Sequence, residues 1–156
     1  MKNIFVYIIA FFFLLSFKSA DVTQKFETDN FVIEYPDLWR ATNDDGIINI
    51  FPDNEIGAIT ISGYRELELN EEQTKMLILD VIGSQESAEK VSVKKIRGGK
   101  EYSYEFVDEK QKAAWKAKVI ANDKLLYLVT IFCESKYWNG NYKNLFIESY
   151  NSFKIK

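Results

Sequence analysis

Few of the side chains that usually carry chemistry occur in this chain, and their spacing excludes most reactions. None of the 156 residues is histidine. That removes Ser-His-Asp and Cys-His nucleophiles, the usual general base near neutral pH, and most zinc sites. Cys133 is the only cysteine, so no intramolecular disulfide can form. It follows the apolar run Leu125–Phe132 and is expected to be a small buried hydrophobe. Gly98-Gly99-Lys100 lacks the earlier glycine and the following helix of a phosphate loop, and reads as a hairpin turn. Asp44, Asp45, Asp53 and Glu55 occupy turns at opposite ends of one predicted strand. Six residues of strand separate such ends by about 20 Å, so these carboxylates do not converge. Asp44-Asp45-Gly46 also lacks the ligand spacing of a calcium loop. No catalytic residue, metal ligand or cofactor is predicted, and the chain reads as a non-enzyme.

Aromatic residues are the remaining resource. Tyr137-Trp138-Asn139-Gly140-Asn141-Tyr142 sets three rings among small polar residues ahead of the last predicted helix. Such loops serve in recognition because rigid rings give contact area at low entropic cost. Tyr137, Trp138 and Tyr142 are therefore the candidate binding surface. The competing expectation makes Trp138 a satellite of the core at the sheet edge. Trp39, just after the Pro36 turn, is expected in the core.

Strands must position these groups. Phe31–Tyr35 reads as a strand stopped by Pro36, which cannot donate a ladder hydrogen bond. Trp39 opens a second strand. Asn43-Asp44-Asp45-Gly46 signals a tight hairpin leading into Ile47–Phe51. Gly57–Tyr64 alternates, with Ile59 and Ile61 on one face. The period then changes. Asn70 and Gln73 form a capping-box pattern ahead of a helix of about three turns, ending near Gly83. Val91–Ile96 returns to strand and turns at Gly98-Gly99. Tyr102, Tyr104 and Phe106 form one aromatic face, and Trp115, Ala117, Val119 and Ala121 alternate with Lys116 and Lys118. Asn122-Asp123-Lys124 turns the chain into Leu125–Cys133, apolar on both faces and so central. Tyr142, Leu145, Phe146, Tyr150 and Phe153 then line a helix starting near Asn141. The expected class is α+β, an antiparallel sheet of about six to seven strands with helices packed on it.

Residues 1–20 differ from the rest. Lys2 precedes an apolar run from Ile4 to Phe17, and no acidic residue occurs before Asp21. This is the pattern of a secretory signal peptide, short for a permanent bilayer span. Cleavage after Ala20 leaves Lys18 where a small residue is usual, so retention as an N-terminal anchor stays open. Residues 21–156 are then one domain of 18 basic and 23 acidic residues, net charge −5. The expected location is secreted, periplasmic or cell envelope. An acidic domain without a long basic run has no electrostatic reason to bind nucleic acid or an anionic membrane. Membrane contact is expected only through an uncleaved N-terminal segment.

Phe31-Val32-Ile33-Glu34-Tyr35-Pro36-Asp37-Leu38-Trp39 resembles the opening of the PsbP/Mog1/DcrB-like superfamily: an apolar strand, proline, then tryptophan. An Asp-Gly hairpin and a strand ending near Pro52 follow in the same way. The final hairpin, the aromatic-faced helix and the ending Ser152-Phe153-Lys154 complete the resemblance. It implies a fold more than an activity. Members include an extrinsic photosystem subunit, a nuclear-transport factor that binds a small GTPase, and bacterial envelope lipoproteins, which share mostly non-catalytic binding. The expected function is that of an exported binding or accessory domain acting through a protein partner. The alternative is a carrier of a small apolar ligand in a pocket between sheet and helix.

Overall fold

The structure, a computed structural model, describes residues 23–121 and 125–156. The predicted export segment, the expected start of the domain at Asp21 and the expected turn at Asn122-Asp123-Lys124 lie outside the described residues. Among the described residues, no helix is long and apolar enough to cross a membrane.

Strand alternation builds two antiparallel sheets. The smaller joins β1 (Thr23–Glu27), β2 (Phe31–Pro36) and β10 (Lys154–Ile155), with β2 in the middle. The larger has seven strands: β3 (Trp39–Asp44), β4 (Ile47–Pro52), β5 (Gly57–Arg65), β6 (Ser92–Ile96), β7 (Gly99–Asp108), β8 (Ala113–Ala121) and β9 (Leu125–Glu134). Their order across the sheet is β3-β4-β5-β9-β8-β7-β6. The expected single sheet is thus a seven-stranded one with a small second sheet beside it. The chain changes sheet in the two residues between Pro36 and Trp39, where proline ends the β2 ladder.

Two helices complete the fold. α1 (Glu71–Val81) begins with the expected capping box: Asn70 accepts from the Gln73 N–H, and the Gln73 side chain accepts from the Asn70 N–H. It ends at Gly83, whose φ of +66° suits glycine. α2 (Gly140–Ser152) packs along β2 and β9. One core lies between the large sheet and the layer of β2 and α2. It joins Ile33 and Tyr35 to Ile50, Ile59, Ile131 and Phe146. The other lies under α1, where Ile78, Leu79 and Ile82 meet Tyr102, Val119 and Leu128. β9 supplies both, as its two-sided apolar sequence requires. Alternation hides one result. The face of β8 that carries Lys116 and Lys118 turns toward α2, and Lys118 is buried there.

Candidate binding groove

Three segments far apart in sequence meet at one end of the large sheet. They are the β2–β3 turn, the β4–β5 turn and the first turns of α2. Between them is an open groove of about 700 Å³, lined mainly by Pro36, Leu38, Trp39, Pro52, Tyr142 and Leu145. Trp39 is buried and lies 4.6 Å, ring to ring, from Phe146 beneath α2. Leu38 is 82% exposed. Both prolines end strands that cannot be extended, so each strand gives way to a short turn at the rim. The Asn54 amide donates to the Tyr142 hydroxyl at 3.0 Å, tying the β4–β5 turn to α2. The charged lining residues are Asp37 and Asp53, and Asp53 accepts from Arg40 Nε at 2.8 Å.

The three aromatic candidates separate. Tyr142 lines the groove, and Tyr137 stands edge-on to it at 5.9 Å. Trp138 is only 8% exposed and belongs to the core. Its indole N–H donates to Glu105 at 3.3 Å, and Lys143 sits 5.1 Å over its ring. Trp138 therefore anchors the loop from which Tyr142 emerges. Glu105 also accepts from Lys116 at 2.7 Å and Lys143 at 3.4 Å. Burial pushes its carboxyl pKa up, but the two lysines overcome this and hold it below the usual value. Leu38 was not among the sequence candidates. A large aliphatic residue inside a two-residue turn between strands is the signal that marks it.

The other sequence candidates stay apart. Asp44 and Asp45 lie at one end of β4, and Asp53 and Glu55 at the other. Among the described residues, no group of three or more carboxylate or thiol side chains is placed to hold a metal. Cys133 is buried, and burial with Glu134 nearby pushes its thiol up to about 11. Gly98 has the positive φ of a hairpin turn, and Lys100 beyond it pairs with Glu71 on α1.

Together, the seven-stranded antiparallel sheet, the side sheet and the two helices define an α+β fold of the PsbP-like type. Cyanobacterial PsbP (CyanoP) from Synechocystis sp. PCC 6803, solved in solution, superposes with a TM-score of 0.63 and 14% sequence identity. The match covers 87% of this chain and 94% of that one. Identity this low shows the fold alone. A crystal structure from Bacteroides thetaiotaomicron matches at a TM-score of 0.49 and 15% identity, over 81% of this chain but 45% of its own, and supports no argument. No protein-family model matches the sequence. No curated protein matches it either.

Proposed function

We propose that this chain is an exported, non-catalytic accessory domain that binds a protein partner through the Leu38 groove. The observation that carries the reading is an aliphatic side chain left 82% exposed beside a largely apolar groove of about 700 Å³. Apolar area of this kind gains about 25 cal/mol per Å² when covered. The wall-to-wall bond from Asn54 to Tyr142 supports a site organised before binding. Asp53 is engaged by Arg40, and the acidic Asp37 at the rim favours a partner segment with an apolar side chain next to a basic residue. Residues 1–20 would direct export and then be removed or kept as an anchor.

The test is native mass spectrometry of the protein from its own host's envelope fraction, with and without Leu38→Asp. A stoichiometric protein companion lost in the variant, at unchanged melting temperature, supports the reading. A companion indifferent to Leu38→Asp sinks it. The groove volume also lies within the range of small-molecule sites, which favours a carrier of a small apolar ligand as the second reading. A co-purifying small apolar mass in place of a companion would establish that alternative.

A further inference from the structure

A different surface, on the opposite side of the large sheet from α2, carries side chains in two rows of contrasting chemistry. α1 packs on this side against β7 and β8. Toward β4 and β5 the side is open, and a shallow trough of about 350 Å³ lies between Phe51 and Phe132 over Ala58. The strand register extends these rings into a row. Ala58 is opposite Phe132, Phe132 opposite Trp115, and Trp115 opposite Phe106. The Phe132 and Trp115 rings are 4.9 Å apart, and Arg40 lies over the Phe51 ring at the sheet edge. Two residues along each strand, about 7 Å away, runs a hydroxyl and amide row. There Thr42 is opposite Asn49, Asn49 opposite Thr60, and Thr60 opposite Thr130. The Thr60 hydroxyl donates to Asn49 Oδ1 at 2.8 Å.

We infer that this face binds a neutral polysaccharide, its sugar rings stacked along Phe51 and Phe132 and its hydroxyls bonded to Thr42, Asn49 and Thr60. A pyranose presents weakly positive C–H groups on its ring face, which suit the negative face of an aromatic ring. Its rim carries hydroxyls that donate and accept, as the threonine and asparagine row does. Charge selects among ligands that stack. Single-stranded nucleic acid also stacks on sheet aromatics, but it needs a cationic track. Glu55 is the charged lining residue of the trough, and the nearby Arg40 is engaged by Asp53. The surface thus matches an uncharged, hydroxyl-rich chain and opposes a polyanion. This inference does not depend on the Leu38 groove.

Native affinity electrophoresis of the full chain tests it, with gels containing hydroxyethyl cellulose, glycol chitin or mannan. A polyoxyethylene detergent avoids competing sugar headgroups. The expected result is retardation in at least one gel, with binding about tenfold weaker (about 1.4 kcal/mol) in Phe132→Ala and in Phe51→Ala. Leu38→Asp, measured against its own mobility in a polysaccharide-free gel, should be retarded as much as the unaltered chain. Phe51 belongs to neither core cluster, so its variant keeps the test valid if Phe132→Ala melts early. Free migration in all three gels overturns the inference. So does equal retardation by dextran sulfate, or retardation that neither phenylalanine variant weakens.

Discussion

Replacing Lys118 by methionine probes how the fold tolerates a cation beneath α2. Lys118 is 4% exposed, and its ammonium donates to the Tyr150 carbonyl at 2.6 Å. It lies 4.2 Å over the Tyr150 ring and 5.6 Å over that of Phe153. The carbonyl is in the last turn of α2, where the helix dipole favours positive charge. Glu101 on β7 also favours the cation, and Lys116 on the same strand opposes it. Burial outweighs these charges and lowers the amine pKa from 10.5 to about 8.

The sign follows from proton counting. Between pH 8 and 10.5 the unfolded chain holds a proton at this amine that the folded chain has released, so stability rises with pH. Each pH unit in that window is worth about 1.4 kcal/mol. The penalty is therefore about 3 kcal/mol below pH 8 and disappears above 10.5. Lys118→Met removes it but gives up the hydrogen bond to Tyr150, worth about 1 kcal/mol. At pH 7 the variant should be the more stable by about 2 kcal/mol. Between pH 7 and pH 10 that advantage should shrink by about 2.5 kcal/mol. Urea denaturation of both proteins across this range measures the difference, and groups common to both cancel. A difference constant with pH would refute the reasoning. It would mean that the aromatic rings and the carbonyl fully offset the burial of the charge.

Four further substitutions test other parts of the fold. A Cβ at Gly57 would lie 2.3 Å from the Phe132 carbonyl oxygen and 3.0 Å from the Phe146 ring, so Gly57→Ala should cost about 2 kcal/mol in chemical denaturation. Trp138→Ala empties a core position and should lower stability by about 3–4 kcal/mol, whereas Leu38→Asp should change it by no more than about 0.5 kcal/mol. Equal losses in their melting curves would contradict the division between anchor and exposed residue. Glu105→Gln should cost about 1–2 kcal/mol at pH 7. Because the folded carboxyl titrates below 4.5, that stabilisation is present above 4.5 and is lost as the pH falls through the lowered value. Acid titration of both proteins should therefore converge. Curves that stay parallel would show that the charge on Glu105 is immaterial.

Much of the fold was legible because local rules and burial agree. Asn70 and Gln73 satisfy each other as their spacing predicts. Asp45 and Gly46 take positive φ, and the Gly46 N–H donates to Asn43 Oδ1 at 3.0 Å. β1 was harder to see. Thr23–Glu27 alternates, but the only apolar residue it contributes is Phe26, which stacks on Phe31. Its partner β2 supplies the reason for it to be a strand, and nothing local does. The lysines of β8 show a second limit. Alternation sorts residues into two faces without saying which is covered. In a strand buried on both sides, the charged face survives only where distant groups satisfy it. For Lys116 that group is Glu105, and for Lys118 it is the Tyr150 carbonyl, 32 residues later.

The candidate site obeys the same logic. Loop composition marked Tyr137–Tyr142 as a segment rich in rings, and Tyr142 lines the groove. Composition could not decide which ring faces outward. That choice rests on Glu105, 33 residues before Trp138, whose carboxylate gives the indole N–H a partner. A buried indole without one would leave a desolvated donor, at about 1–3 kcal/mol. The carboxylate itself is tolerable there only because Lys116 and Lys143 attend it. Lys143 adjoins Tyr142 in α2, so the network that hides Trp138 also fixes where the groove wall stands. Three long-range contacts thus turn an ambiguous aromatic loop into one anchored ring and one presented ring.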